Sequence, residues 1–357
     1  MHFLHQLLPW SRRHKARTFV FAALSVALVT VLLQLGLRQS EDGVDLYHVF
    51  QPLTTVPSQS AIVETGLFAM NVYDLDPSSN TYYADFYAWF KWQGDIDPLA
   101  QLEFSNGVDD WGMVITPTYE EPEILEDNRQ YQIWRVEGRF VQPLSLARYP
   151  LDRHYLSLIL ENSAYTIDDL VYVAEPDQSG YSETLAIPGW RIMGFKLETL
   201  LREYSTNFGD TRLGDGAQHS ILKYSLQIAR PPSFFLWKLL LPLVIVVASS
   251  WGSLLLNPEY SDSRIALPVT ALLTTVFLQE SYSSSLPDIG YLVLMDKIYV
   301  IAYVLIFLSI AEAILTADWI KEGKPERYHQ VIKVDRWLLI GQIVAIFLGA
   351  IGLILWS

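Results

Sequence analysis

Residues 263–287 read SRIALPVTALLTTVFLQESYSSSLP. The stretch is long and apolar enough to cross a bilayer, yet it holds three threonines, an internal proline, a glutamine, a glutamate and a serine run. On a helix of ~3.6 residues per turn, Asp262, Ala266, Thr270, Leu273, Phe277, Glu280 and Ser284 fall on one face. Ile265, Leu267, Val269, Leu272, Val276 and Leu278 flank it. An ionisable residue inside a span faces a water-filled cavity or a partner. One helix cannot enclose a pore, so the stripe points to identical chains grouped around it. Charged ends, a hydroxyl ring and an apolar waist would then form a gated ion path. The simpler alternative is that Thr270 and Thr274 bond back to their own helix and Glu280 reaches for the membrane interface.

The surrounding chain agrees with a membrane setting. Half of its 357 residues are hydrophobic, and the mean hydropathy is +0.20. Residues 234–256, 291–315 and 337–356 form three further apolar runs, each sufficient for ~30 Å of hydrocarbon. Residues 1–37 carry the basic SRRHKAR and an apolar run, read as a signal sequence or an uncleaved anchor. Residues 316–336 carry five Lys and Arg, whereas 281–290 carry none, which puts the former inside and the latter outside. The β domain and the C-terminus then lie on the extracellular or periplasmic side of a multi-pass protein of the cell (inner) membrane. With no cysteine, thiolate nucleophiles, disulfides and Cys-ligated zinc are excluded.

Residues 38–230 read as β structure. YADFYAWFKW at 83–92 and HYLSLILE at 154–161 alternate as half-buried strands do. Turn signals such as DPSSN and DIDP punctuate the rest, favouring a sandwich of about ten strands. Residues 38–229 hold 29 acidic against 12 basic side chains, a surface that gathers cations and repels nucleic acid.

Several fragments in order carry a family resemblance: RYPLD at 148–152, NSAYTIDDL at 162–170, PGW at 188–190, IARPP at 228–232, Pro242 and SLPDIGYLVLMDKIY at 285–299. Across roughly residues 60–357 the chain resembles the pentameric ligand-gated ion channels, specifically their prokaryotic members. The positions of the loop cysteines in animal receptors fall on Gln142 and Leu156. The resemblance implies an extracellular β-sandwich (38–230) on a four-helix channel domain (231–357; helices 234–256, 263–284, 291–315 and 337–356), as a homopentamer in membrane lipid. The second helix would line the pore.

By the same resemblance, Leu273 and Phe277 form the gate and Asp262 and Glu280 the selectivity rings. Anion-selective relatives carry a Pro-Ala insertion where this chain has Asp262-Ser263, so Na⁺ and K⁺ are the expected permeant ions. Arg264 is read as a positive-inside anchor, and Pro268 as a source of a kink. Agonist-site candidates are Tyr87 on one face of the subunit interface and Tyr119, Glu161, Tyr165, Tyr204 and Phe208 on the other. A cationic amine suits aromatic faces beside a carboxylate, but a proton or a divalent ion at the acidic surface is equally compatible. Asp152 and Arg230 are the expected buried coupling pair, Asp76 a third member, and Pro287 and Tyr291 the linker they press on. No cofactor, metal-ligand set or catalytic motif is found. The alternative reading is a membrane-anchored periplasmic sensor or binding module that conducts nothing. His154 and His219 are further candidates as pH sensors.

Overall fold

The computed structural model describes residues 50–108, 112–209, 217–321 and 325–356; the expected N-terminal signal or anchor lies outside them. The chain divides into two compact units. One spans Gly43–Leu146 and Leu151–Pro231, and the other takes in Ala147–Pro150 and everything from Pro232 onward.

The first unit is built of strands: β1 (Phe50–Pro52), β2 (Ala61–Asp76), β3 (Thr81–Trp92), β4 (Leu102–Phe104), β5 (Val114–Pro117) and β6 (Glu123–Ile124). They continue as β7 (Gln130–Val141), β8 (Arg153–Asn162), β9 (Leu170–Ala174), β10 (Gly180–Tyr181), β11 (Arg191–Glu203) and β12 (Gln218–Ala229). Twelve strands among the described residues exceed the ten expected, because two-residue pairings such as β6 and β10 are too short to leave a periodic signal. A five-stranded sheet runs β1-β11-β12-β8-β4, and a seven-stranded one runs β10-β2-β3-β7-β5 with β6 on β7 and β9 on β2.

Period-two alternation explains how the sheets close. On β3, Tyr82, Ala84, Phe86, Ala88, Phe90 and Trp92 are all buried, while Tyr83, Tyr87, Trp89 and Lys91 between them are partly exposed. The buried set meets the other sheet directly: the Phe86 ring stands edge-on to Phe104 at 5.4 Å, and Tyr82 Oη donates to Ser157 O at 2.7 Å. Each buried large apolar side chain contributes about 1.5–3 kcal/mol, so this aromatic interior supplies the bulk of the unit's stability. Gln142 and Leu156, which the resemblance aligned with loop cysteines, have separate surroundings here. Gln142 Oε1 accepts the Ser157 N–H at 3.1 Å, and Leu156 is a core residue.

The second unit holds four helices: α1 (Pro232–Leu255), α2 (Ser261–Ser283), α3 (Leu294–Lys321) and α4 (Pro325–Trp356). Among the described residues, α1, α2 and the Leu294–Ala317 part of α3 are long and apolar enough to cross a membrane. Within α1, Phe235–Leu240 form a π-helical turn in which Leu241 N–H donates to Leu236 O. Pro242 has no N–H to offer the preceding turn, and a widened turn is one way a helix accommodates that loss. Pro268 sits on the buried side of α2, and the helix runs through it unbroken.

Two expectations change here. Residues 316–336 were read as a connection before a span at 337, but α4 already begins at Pro325. Pro325 suits a first helical position, Glu326 suits the positive end of the helix, and Val331, Asp335 and Gln342 bury one face at helical spacing. Arg264, read as a positive-inside anchor, is 1% exposed. Its Nη2 donates to Asp335 Oδ1 at 2.5 Å and Glu312 Oε2 at 2.9 Å, and its Nε donates to Ser253 O at 3.1 Å. A second polar node lies along the same helices. Trp251 Nε1 donates to Gln342 Oε1 at 2.6 Å, and Gln342 Nε2 to Leu305 O at 3.2 Å. Without a hydrophobic drive between helices in lipid, such polar links and close packing hold a bundle together.

Gly66 gives the fold a direct test. A Cβ there would lie 2.1 Å from Trp89 Cζ2, and that ring is held by Nε1 donating to Glu175 Oε2 at 2.7 Å. Gly66→Ala should therefore cost about 1–3 kcal/mol as an overpacking change. Gly341→Ala, with nothing within 4 Å of the new Cβ, should be neutral or slightly stabilising. Thermal unfolding of the two variants side by side checks this; an unchanged midpoint for Gly66→Ala contradicts the packing described.

Candidate functional site

The helix quoted at the outset has two sharply different sides. Arg264, Pro268, Ala271, Thr275 and Tyr282 are buried against the rest of the helical unit. Asp262, Ala266, Thr270, Leu273, Phe277, Glu280 and Ser284 are all exposed, with Leu273 at 58% and Phe277 at 65%. Thr270 Oγ1 donates to Ala266 O and Thr274 Oγ1 to Thr270 O, both at 2.9 Å. The hydroxyl protons are thus satisfied within the helix, while each oxygen keeps acceptor capacity for a water or a cation.

Beyond the end of α2 the chain turns through 284–293, where Pro287 and Tyr291 are partly buried. Tyrosines stack along this end of the helical unit, a feature that the sequence pattern did not single out. Tyr149 lies against Tyr282 at 6.5 Å, Tyr282 against Tyr299 at 5.2 Å, and Tyr299 near Tyr303 at 6.4 Å. Tyr282 Oη donates to Asp296, whose other oxygen accepts the Val293 N–H at 3.0 Å. Leu294 and Met295 donate their N–H groups to Ala147 O and Tyr149 O, at 2.9 and 3.3 Å. Beside this stack lies a cavity of about 390 Å³ lined by Phe234, Lys238, Leu278 and Ser281 among others.

In the β unit, Asp152 and Arg230 come together. Arg230 Nε donates to both carboxylate oxygens of Asp152, at 2.9 and 3.1 Å, and its guanidinium covers the Trp190 ring at 4.2 Å. Asp152, 1% exposed, also bonds His154 Nε2 at 2.8 Å, which gives that histidine a structural task. Asp76 is not in this group. Its carboxylate accepts Ser78 N–H at 2.8 Å and Ser79 Oγ–H at 2.7 Å, holding the β2–β3 turn, and those hydrogen bonds keep its carboxyl below the usual range. In a DPSS turn the aspartate's nearest donors are its own neighbours, and they win.

The agonist-site candidates divide. Glu161, Tyr204 and Phe208 form one cluster with His219, named above only as a pH-sensor candidate, and with two residues that sequence reading missed, Arg202 and Phe50. Glu161 is 2% exposed, and its Oε2 accepts Arg202 Nη1 at 2.5 Å and Tyr204 Oη at 3.0 Å. Burial, with Glu161 beside it, pushes the Tyr204 phenol up to about 12, so it remains a donor at neutral pH. The Arg202 guanidinium lies over Phe50 at 4.8 Å and over Tyr204 at 5.3 Å. Phe208 and His219 pack on Tyr204, and His219 Nδ1 reaches Tyr165 O at 2.9 Å. The carboxylate expected to greet an amine already has a cation of its own. Tyr87 and Tyr119 lie elsewhere: Tyr87 has Arg135 6.0 Å above its ring, and Tyr119 packs on Tyr131 at 6.2 Å.

No family model matches the chain. It is 30% identical over 183 residues to a gamma-aminobutyric acid receptor subunit beta-like protein of Drosophila melanogaster, covering 51% of this chain and 35% of that one. A gamma-aminobutyric acid receptor subunit beta of Lymnaea stagnalis is 29% identical over 171 residues (47% of this chain, 32% of the relative). A beta-4 subunit of such a receptor from Gallus gallus is 28% identical over 171 residues (47% and 33%). All three are receptor subunits, not enzymes, and the chain matches only about a third of each one's length.

The Asp152 node yields a prediction. Arg230→Gln leaves a buried carboxylate without its cation, which costs about 3–5 kcal/mol. Asp152→Asn combined with Arg230→Gln should recover part of it. Denaturation midpoints of the three proteins test this; an Arg230→Gln protein as stable as the parent contradicts it.

Proposed function

We propose that the chain is a subunit of a pentameric ligand-gated ion channel and that five copies set the exposed face of α2 around a pore. The observation that carries this reading is the division of α2. The seven residues placed on one face by helical spacing are all exposed, and the opposite stripe is buried. The named relatives support a receptor-subunit reading. In this proposal α4 supplies the fourth span, the β unit faces the outside, and the protein sits in the cell (inner) membrane of a prokaryote.

The pore would run from an Asp262 ring, past Thr270 hydroxyls, through a waist of Leu273 and Phe277, to a Glu280 ring. Rings of carboxylates favour cations, and an apolar constriction closes by dewetting. The agonist would enter between subunits at the β units, near Tyr204 and Phe208 on one side and Tyr87 on the next copy. Because Glu161 is taken by Arg202, a ligand bearing an acid group as well as an amine suits the cluster better than a bare amine. The names of the relatives point the same way. Asp152 and Arg230 would then couple binding to the pore, with Tyr149 and the tyrosine stack receiving the motion.

Native mass of the purified protein should correspond to five copies. Reversal potentials in a salt gradient, after reconstitution, should follow Na⁺ and K⁺; a monomer, or a shift to the chloride potential, contradicts the corresponding part. Leu273→Ser changes five side chains at once. A loss of about 1 kcal/mol of apolar contact in each subunit is enough in total to move a strongly closed equilibrium most of the way to open. That variant should leak at rest or respond to far less agonist, whereas Thr274→Ser should resemble the parent. A Leu273→Ser channel with unchanged resting current and sensitivity would remove Leu273 from the gate.

A further inference from the structure

Arg264 on α2 is shared by two carboxylates. Glu312 Oε2 on α3 and Asp335 Oδ1 on α4 both accept from its Nη2, at 2.9 and 2.5 Å, so the two acids are immediate neighbours. All three side chains are at least nine-tenths buried: Arg264 is 1% exposed, Glu312 6% and Asp335 2%. The guanidinium has a third acceptor, Ser253 O on α1, at 3.1 Å, so all four helices meet here. Glu312 Oε1 is buried with no hydrogen-bond partner among the described residues.

The charges do not balance. Two carboxylates and one guanidinium leave one negative charge in excess where water does not reach. Among the described residues, the neighbouring elements offer nothing to cancel it. The Leu241–Leu255 part of α1 contains no charged residue, Asp262 at the start of α2 is exposed and adds negative charge, and Lys333 and Arg336 on α4 point to the surface. Thr316 Oγ1 donates to the backbone carbonyl of Glu312 at 3.0 Å and leaves the carboxylate alone. An uncompensated buried charge is strongly disfavoured, and two carboxylates in one site relieve it by holding a proton between them.

We propose that Glu312 and Asp335 share one proton in the folded protein, which makes this four-helix junction a buried proton-binding site. One acid carries the proton as an un-ionised carboxyl and donates it to the other, which remains the counter-ion of Arg264. The proton is held in the folded state and not in the unfolded one. Losing it places a second negative charge beside the first and weakens the hold of α4 on α2 and α3. The site is independent of whether the protein conducts ions.

Infrared spectroscopy of the whole protein tests this. At neutral pH the wild type should show the C=O stretch of an un-ionised buried carboxylic acid, fading as the pH is raised while the helical signal persists. Asp335→Asn and Glu312→Gln should each remove that band. If either variant fails to fold, the wild-type titration decides alone. Absence of the band at neutral pH overturns the proposal, as does its survival unchanged in both folded variants.

Discussion

Hydrocarbon offers no partner to a hydroxyl, an amide or a carboxylate, and the rest of this protein is arranged around that constraint. A membrane-length helix that carries Thr270, Gln279 and Glu280 needs somewhere for them to go. Gln279 finds Tyr303, whose Oη donates to it at 2.5 Å. Thr270 spends its proton on its own helix, and Glu280 stays exposed in the single chain. What remains unpartnered in one copy is a continuous stripe, and a stripe of that kind asks for other copies and for water.

The buried charges follow the same logic with a different solution. Asp152 is closed off by Arg230 and His154, and Glu161 by Arg202 and Tyr204. In each the number of carboxylates matches the number of guanidinium groups. The Arg264 junction breaks the pattern with two acids for one base. Buried ion pairs add little net stability, but each fixes one arrangement of its elements, because a shifted helix or strand would leave a bare charge.

Periodicity made much of this legible in advance. The face of α2 follows from spacing alone, since 3.6-residue periodicity needs no knowledge of the partner, and β3 follows from alternation in the same way; β8 forms where expected but is buried on both faces from Leu156 to Asn162. What escaped were contacts across long sequence separations. Arg264 looked like an anchor because its sequence neighbours are at a span's end, while its true partners lie 48 and 71 residues away. Arg202 was passed over because Glu161 is 41 residues distant. Asp76 erred in the opposite direction: a long-range partner was expected where a local turn satisfied it. The start of α4 was hidden by its charged first turns, which hydropathy reads as a connection.

The chain's lack of cysteine makes the central claim directly measurable. Single cysteines introduced along α2 in reconstituted protein can be probed with a water-soluble thiol reagent while current is recorded. Cysteines at 266, 270, 273, 277, 280 and 284 should react and alter conduction, whereas those at 268, 271 and 275 should be silent. If reactivity followed the buried stripe, or showed no helical period, α2 would not line a pore.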